Sequence, residues 1–469
     1  FMAGEQIHVT SSSSVLSSTG IAFNANNWLL NAKSTNLTNG HFIPVSTGIT
    51  LPTNATAYSY DCSMADMNKD GKMDIIYRYH SAYGAATNVL IYLRNTNNTF
   101  SGPISYSTPN SHSSLVGTPD LNGDGYPDVV LNFNVPSAVQ VWLNNGMGGL
   151  NSPTSYTVSS FSNGAKILDA DKDGDLDIMS FSGVSTISAN ALSLIKNNGN
   201  GTFSSQIVTN TAVFGSSLLP LDIDFDGDLD LLYTSSNAFS SPQTFRIYQN
   251  GGTGNFVLLY SESNPLNKTV SASLDIDNNL LNDVLISSPT TQIYPSNIDS
   301  LIKLSSLASP LLGNTSYAFP FDIDGDQDVD LFIPNYDNSG NYSTPLKLAF
   351  NDGTGSYTVI TDNNLIQPLI SYLGMYDYDS DGDVDHLYRE GQLLKIGLND
   401  CHLVRELQNF DSPLSGTYRA AQEIKIVGNN VDVLSNISVI FDSPIVKVPG
   451  HLNTNLLANI TIRNLDCDF

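Results

Sequence analysis

The chain has 469 residues, 41% of them hydrophobic, which is enough for a large packed interior. It contains 19 Lys and Arg against 45 Asp and Glu, and with no basic run this balance argues against nucleic acid as a partner. No apolar run approaches the ~18 residues of a membrane span. The N-terminus lacks a charged-then-apolar leader pattern, so we expect the mature form of a protein without a transmembrane segment.

Residues 1–25 include VTSSSSVLSS, which indicates a solvated lead-in to which we assign no role. TNGHFIPVST at 38–47 follows, and it has the pattern of a hairpin end and an apolar strand. No repeat of its own surrounds this strand. We therefore expect a strand at about 38–48 that pairs with a distant part of the chain.

An acidic stretch of nine residues then recurs seven times, beginning at Asp66, Asp120, Asp169, Asp222, Asp275, Asp322 and Asp377. In its fullest form, DADKDGDLD, two carboxylates about 4 Å apart would repel by roughly 4 kcal/mol at an effective dielectric near 20. The order D-x-D-x-D-G matches the front of a calcium loop. An EF-hand would need Glu at position 12, where Ser180 stands, and the loop instead closes on Asp177 and leads into an apolar strand. An acidic turn without an ion is the alternative, and seven copies favour calcium.

The candidate metal ligands occupy positions 1, 3, 5, 7 and 9 of each stretch. They are Asp66, Asn68, Asp70, Lys72 and Asp74; Asp120, Asn122, Asp124, Tyr126 and Asp128; Asp169, Asp171, Asp173, Asp175 and Asp177; Asp222, Asp224, Asp226, Asp228 and Asp230; Asp275, Asp277, Asn279 and Asp283; Asp322, Asp324, Asp326, Asp328 and Asp330; Asp377, Asp379, Asp381, Asp383 and Asp385. The oxygen at position 7 is the backbone carbonyl.

A second motif, an Asn/Gly hairpin followed by an aromatic or apolar residue, alternates with the acidic stretches. Its copies are YLRNTNNTF (92–100), VWLNNGMGGL (141–150), LIKNNGNGTF (194–203), IYQNGGTGNF (247–256) and LAFNDGTGSY (348–357). Asn-Gly and Asp-Gly tolerate the positive φ angles of tight hairpin turns. Each period of about 50 residues thus holds some four short strands, the size of a β-propeller blade.

The alternation of these two motifs resembles the FG-GAP/VCBS-type repeat of integrin α-chain propellers and secreted bacterial propellers, over roughly residues 20–400. The resemblance implies an all-β fold: a seven-bladed β-propeller, residues 1–400, whose acidic hairpins join the first and second strands of each blade. It also implies up to seven bound Ca²⁺ ions. Leu280 replaces the loop glycine, so we expect the 275–283 site to be the weakest. Gln327 replaces it in the next copy.

Ring closure follows from the ends of the repeat region. GQLLKIGLND at 391–400 resembles a third strand, and no aromatic fourth strand follows it. We expect the strand at about 38–48 to complete the seventh blade, because a closed ring leaves no open sheet edge.

Residues 401–469 have no acidic loop and no blade period, and we predict a small C-terminal β-sandwich-like module. It weakly resembles β modules that end some cell-surface proteins of the Bacteroidota. Cys401 and Cys467 bracket the module, and a disulfide between them would contribute roughly 4 kcal/mol on the loop-entropy model. Cys62 is expected to be a buried free thiol.

Catalytic motifs are missing from the sequence. The seven histidines are scattered, and there is no G-x-S-x-G, Walker or H-E-x-x-H motif. The paired carboxylates are assigned to calcium binding instead of acid–base catalysis. His386 is expected to be a strand residue facing a neighbouring blade, and Trp142 a core residue. We therefore expect a protein that is not an enzyme.

Calcium loops of extracellular modules work at affinities of about 10⁻⁴–10⁻³ M, which indicates a secreted, cell-surface-associated protein. We expect a calcium-stabilised binding or adhesion protein that engages a protein or matrix ligand. A carbohydrate-binding lectin is the main alternative. A polysaccharide-degrading enzyme and a structural part of a surface assembly rank below it, because a fold alone does not choose a function.

Overall fold

The computed structural model describes residues 42–399 with gaps, and outside that range it describes individual strands. The gaps are 53–58, 83–84, 109–110, 159–161, 183–190, 211–214, 236–243, 264–268, 277–282, 288–291, 295–317, 324–327, 334–345, 352, 354, 356, 363–369 and 380–383. No helix in the described part of the chain is long and apolar enough to cross a bilayer.

The first strands along the chain are β1 (His8–Val9), β2 (Ser13–Leu16), β3 (Ile21–Phe23), β4 (Leu29–Asn31) and β5 (Phe42–Thr50). Blade 1 contains β6 (Ser59–Ala65), β7 (Asp74–His80), β8 (Thr87–Tyr92) and β9 (Ile104–Thr108). Blade 2 contains β10 (Ser111–Gly117), β11 (Val129–Val135), β12 (Ala138–Trp142) and β13 (Thr154–Thr157).

Blade 3 contains β14 (Ser162–Leu168), β15 (Asp177–Ser182), β16 (Ala191–Asn197) and β17 (Phe203–Asn210). Blade 4 contains β18 (Gly215–Leu221), β19 (Asp230–Ser235), β20 (Thr244–Asn250) and β21 (Phe256–Ser263). A three-stranded sheet follows, with β22 (Thr269–Leu274), β23 (Asp283–Ser287) and β24 (Gln292–Tyr294).

Blade 5 contains β25 (Phe319–Phe321), β26 (Asp330–Ile333), β27 (Leu346–Asn351) and β28 (Tyr357–Asp362). Blade 6 contains β29 (Ile370–Tyr376), β30 (Asp385–Glu390) and β31 (Leu393–Asn399), and its fourth strand is β5 from the N-terminal region. β5 pairs antiparallel with β31, from Phe42 opposite Asn399 to Thr50 opposite Leu393. The closing strand thus lies where the repeat pattern required one.

The prediction of seven four-stranded blades is wrong in its count, since the described residues form six such blades. The sheet of β22–β24 stands where the remaining blade was expected. Its sequence lacks the Asn/Gly hairpin that turns the third strand into the fourth in the neighbouring repeats, and its acidic stretch has Leu280 in place of glycine. Residues 295–317, which come next, lie outside the described residues.

The core consists of apolar clusters between neighbouring sheets. Second strands such as β7 are buried at every position, because other sheets cover both of their faces. Between blades 1 and 2, Ile76 packs in one cluster with Phe133. Leu387 of blade 6 packs with Tyr77 of blade 1, so the last and first blades share a core and the ring is closed. Cys62 is a buried free cysteine within that closing cluster, as predicted.

The C-terminal strands are β32 (Val404–Gln408), β33 (Gly416–Arg419), β34 (Glu423–Val427), β35 (Val431–Val433), β36 (Ser438–Asp442), β37 (Ile445–Lys447), β38 (Leu452–Thr454) and β39 (Asn459–Arg463). They pair in parallel as β32–β34–β37, β33–β36–β39 and β35–β38. Neighbouring strands in these pairings run parallel, whereas those in the blades run antiparallel, and the β-sandwich-like module expected at 401–469 stays a prediction.

The N-terminal strands β1–β4 join these C-terminal sheets. β4 pairs with β37, β2 with β39, and β3 with β38, while β1 pairs with β4. The division of the chain into a propeller at 1–400 and a C-terminal module at 401–469 stays a prediction. Cys401 and Cys467 lie outside the described residues, so their disulfide stays a prediction.

Candidate metal loops

The acidic stretches are the hairpin loops between the first and second strands of their sheets. Four loops are described in full: 66–74, 120–128, 169–177 and 222–230. In each, the first aspartate accepts a hydrogen bond from the backbone N–H of the glycine at position 6, as Asp66 does from Gly71 at 2.7 Å. Gly71 has a φ of 80°, a conformation that favours glycine, and this explains the fixed glycine of the motif.

The ninth aspartate accepts two backbone hydrogen bonds, one from the start of its own loop and one from the end of the third strand. The Oδ2 of Asp177 accepts the N–H of Ala170 at 3.0 Å, and its Oδ1 accepts the N–H of Asn197 at 2.7 Å. Both acceptor bonds recur at Asp74, Asp128, Asp230, Asp330 and Asp385. Burial raises the pKa of Asp177 to about 6, against the lowering effect of these two donors. The ninth position is thus a structural anchor in its own right.

Other carboxylate oxygens in the loops have no hydrogen-bond partner. These buried atoms are the Oδ1 of Asp120, Asp169, Asp171, Asp222 and Asp224, at positions 1 and 3. An unpartnered buried carboxylate oxygen is costly, and a cation supplies what the protein does not. The donor set is all oxygen, which suits a hard cation.

Three loops bring three acidic ligand atoms within 4.8 Å of one another. The groups are Asp169, Asp171 and Asp177; Asp222, Asp224 and Asp230; and Asp377, Asp379 and Asp385. The structure therefore assembles the predicted ligands into acidic clusters that could hold a metal ion. When bound, the ion would supply positive charge to offset the repulsion between these carboxylates.

Some predicted ligands cannot be placed. Asp277, Asn279, Asp324, Asp326, Asp381 and Asp383 lie outside the described residues. The remaining members of those three loops are described, and the ninth aspartates Asp283, Asp330 and Asp385 are buried.

Two third-strand side chains enter the acidic clusters, and sequence reasoning missed both. Lys196 forms an ion pair with Asp171 and lies 3.5 Å from the carboxylate of Asp173. Gln249 donates a hydrogen bond to the Oδ2 of Asp224 at 2.5 Å. Their shared signal is a polar residue directly before the hairpin asparagine, where blade 2 carries Leu143 before Asn144.

Lysines at position 4 connect neighbouring loops. Lys69 donates to the carbonyl of Asp124 at 2.8 Å and lies 4.0 Å from the ring centroid of Tyr126. Lys172 donates to the carbonyl of Asp226 at 3.0 Å and pairs with Asp228. In both pairs the ammonium group of one loop contacts the next loop along the ring, where it reduces local negative charge.

The glycines of the Asn/Gly hairpin are required by close packing as well as by the turn. A Cβ on Gly199 would lie 2.5 Å from the Oδ2 of Asp175 in the acidic loop of the same blade. A Cβ on Gly201 would lie 3.0 Å from Leu143 of the preceding blade. The two sequence motifs therefore occur together because the hairpin packs directly against the acidic loops.

The side chain of the hairpin asparagine also joins its blade to the preceding sheet by a hydrogen bond. The side-chain amide of Asn197 donates to the carbonyl of Leu121, in the preceding acidic loop, at 2.8 Å. Equivalent bonds are donated by Asn144 to Met67, Asn250 to Ala170, Asn351 to Ile276 and Asn399 to Ile323. In blade 1, Arg94 takes this place and donates to the carbonyl of Tyr378 in blade 6, which closes the ring.

We expect Arg94→Ala to destabilise the protein by about 2 kcal/mol, because it removes a buried hydrogen bond and the guanidinium group 3.7 Å from the Tyr378 ring centroid. Thermal unfolding of the full chain measures the effect. Arg94→Asn is the matched control, since it restores the donor used by the other blades and should lose less. An unchanged Tm for Arg94→Ala would show that the Arg94 contacts do not stabilise the interface between blades 1 and 6.

His386 and Trp142 occupy the structural positions expected from the sequence. The His386 ring lies 4.7 Å from Phe332 of blade 5 and 5.1 Å from Tyr388, measured between centroids. Burial lowers the pKa of His386 to about 3, so the ring is neutral at physiological pH. Trp142 is buried and packs at 5.8 Å against Tyr106 of blade 1.

Sequence and structure together define a β-propeller whose sheets carry acidic hairpin loops. A family model described as FG-GAP-like repeat matches residues 120–180 and 169–233, which span the loops and strands of blades 2 to 4. The chain folds as a β-propeller that carries FG-GAP-like repeats at 120–180 and 169–233, as the order of its motifs predicted. A search of curated proteins found no match.

Several solved structures are similar to this chain at low identity. An Agrocybe aegerita lectin, described with specific recognition of non-reducing terminal N-acetylglucosamine, is 16% identical with a TM-score of 0.46, covering 74% of this chain and 92% of the lectin. A Bacillus licheniformis rhamnogalacturonan lyase is 11% identical, with a TM-score of 0.34 and coverages of 79% and 78%. The V. cholerae biofilm matrix protein Bap1 is 12% identical, with a TM-score of 0.35 and coverages of 76% and 70%. At these values none of the three assigns a ligand or a reaction to this chain.

Proposed function

We propose that this chain is an extracellular binding or adhesion protein whose propeller is stabilised by calcium. The observation that carries the calcium assignment is the set of buried, unpartnered aspartate oxygens at positions 1 and 3 of the loops. Calcium takes six to eight oxygen ligands, and extracellular modules bind it at about 10⁻⁴–10⁻³ M. Loops of that affinity fill outside cells, which supports a secreted or cell-surface location. Up to seven ions would bind, with the 275–283 loop the weakest.

A macromolecular partner is supported by an exposed apolar strip on β21, the outer strand of blade 4. Val257, Leu258 and Leu259 are 68%, 48% and 53% exposed. The corresponding strand of blade 2, β13, instead exposes threonine and serine. An apolar outer strand with an unpaired edge is a liability for a free protein and a suitable surface for a protein partner.

Replacing Val257 and Leu259 together by threonine is expected to weaken binding to such a partner at least tenfold. Both side chains are exposed, so the Tm should change little, and threonine keeps the preference for a strand. Val359→Thr is the matched control, because Val359 is a 40% exposed apolar residue on the outer strand of blade 5. Equal affinity of the double variant and the wild type would remove β21 from the interface.

The proposed function is tested by binding of the purified protein to immobilised matrix proteins and to a glycan array, in millimolar calcium and again in EDTA. Calcium-dependent binding to a matrix protein is the expected result. Binding to a defined sugar alone would replace the proposal with the lectin alternative. A folded protein that binds neither would contradict it.

We propose a binding protein in preference to an enzyme because the side chains with catalytic potential are occupied. His386 is enclosed by aromatic rings. Ninth aspartates such as Asp177 accept backbone N–H groups, and the aspartates of two fully described loops, 169–177 and 222–230, cluster around a shared point.

A further inference from the structure

A cavity of about 310 Å³ lies among the first strands of blades 2, 3 and 4. These strands, β10, β14 and β18, contact one another in succession, and β10 also contacts β6 of blade 1. The first strands therefore form the inner rim of the ring, and the cavity lies at this rim, away from the outer strands. Its volume is within the range of about 300–1,000 Å³ that is usual for small-ligand sites.

Lys166 on β14 is the only charged residue among those that line the cavity. Its backbone pairs with Met179 of β15, but its exposed ammonium group has no hydrogen bond or ion pair with a side chain in the described part of the chain, although the protein carries a net charge of −26. Crowding by the surrounding strands lowers the pKa of its ammonium group below the ordinary value. An anion in the cavity would supply the missing partner.

The lysine is particular to blade 3. The third residue before the first loop aspartate is Ser63 in blade 1, Gly117 in blade 2 and Leu219 in blade 4. A structural role common to the blades would call for a similar residue at each of these positions. Lys166 instead places a single cation on one side of the inner rim.

The rest of the lining combines hydroxyl groups with apolar walls. Ser114 and Ser217 come from the strands on either side of β14, and Leu115, Leu218 and Phe181 provide apolar surface. Gly164 has no Cβ, and one placed there would lie 2.6 Å from the Phe181 ring, so the glycine lets the ring pack against this strand. A cation, serine hydroxyl groups and apolar walls together suit a compact, hydroxylated anion.

We propose that this cavity binds a small hydroxylated carboxylate of the hexuronic acid class, with the carboxylate paired to Lys166. The hydroxyl group of Ser114 lies in the same lining and would hydrogen-bond a ring hydroxyl, and the apolar walls would contact the ring face. The site is separate from the acidic loops and from β21. It does not rest on the calcium assignment or on the adhesion proposal.

Isothermal titration of the full chain with glucuronate, in calcium-containing buffer, tests the proposal, with glucose as the neutral matched sugar. Saturable binding of glucuronate and none of glucose is expected. Lys166→Met should weaken glucuronate binding by about tenfold or more, because it removes a charge-assisted hydrogen bond. Lys166→Arg keeps the charge and should retain most of the affinity.

A labelling experiment on the wild-type protein keeps the test valid if a variant fails to fold. Brief treatment with acetic anhydride, read by peptide mass spectrometry, should modify Lys166, and glucuronate should protect it while glucose should not. The exposed Lys172 is the internal control and should be labelled equally in both conditions. Absence of glucuronate binding, or equal binding of both sugars with no protection of Lys166, would overturn the proposal.

Discussion

Chelation of divalent cations is expected to lower the Tm of this protein by on the order of 10 °C. A site filled at ten times its Kd contributes about 1.4 kcal/mol, so the four fully described loops would together contribute about 6 kcal/mol. Without the ion, unpartnered oxygens such as Asp169 Oδ1 and Asp222 Oδ1 face neighbouring carboxylates. The measurement is a thermal melt in millimolar calcium and again in excess EDTA.

Re-addition of calcium in excess over EDTA should restore the original Tm, which separates ion loss from irreversible damage. Magnesium at the same concentration should restore less, because it requires a smaller, near-octahedral site. Equal melts with and without EDTA would show that the acidic loops fold without an ion, and the calcium assignment would then be withdrawn.

The fold could be predicted from the sequence to the extent that it is locally encoded. The acidic hairpin and the Asn/Gly hairpin each specify a turn, and together they set the strand order of blades 1 to 5. In the described residues the sheet of β22–β24 has no fourth strand, and its repeat lacks the Asn/Gly hairpin motif; the regular spacing of the acidic stretches nevertheless favoured seven blades. Parallel pairing in the C-terminal segment, and its union with β1–β4, left no comparable local signature.

The residues of the acidic loops could be predicted from the sequence, but the different roles of the individual aspartates could not. Spacing alone made Asp169 and Asp177 equivalent candidate ligands. In the structure Asp169 keeps one oxygen without a partner, whereas both oxygens of Asp177 accept backbone N–H groups. Contacts such as Lys172 to the next loop depend on how neighbouring blades pack, which no single repeat encodes.

Because Asp169 and Asp177 differ in their hydrogen bonds, substitutions in the loop can separate anchoring of the backbone from ion binding. In EDTA, Asp177→Ala is expected to destabilise the protein by about 4 kcal/mol, because it leaves the buried N–H groups of Ala170 and Asn197 without acceptors at about 1–3 kcal/mol each. Asp173→Ala removes the same charge from the same loop at an exposed position. In EDTA it should leave the Tm nearly unchanged, and thermal melts of the two variants measure the contrast.

The same two variants measured in calcium test whether Asp173 is an ion ligand. Asp173→Ala should reduce the gain in Tm that calcium produces, since it removes a candidate ligand, while its EDTA melt stays that of the wild type. Asp177→Ala should lie below the wild type in both conditions. Both variants remove one formal charge from the loop. The difference between them therefore reports the two backbone hydrogen bonds of Asp177, less the contacts of Asp173 with the N–H of Asp175 at 3.0 Å and with Lys196 at 3.5 Å. If both variants match the wild type in EDTA, the ninth aspartate serves the ion alone, and the anchoring bonds contribute nothing measurable.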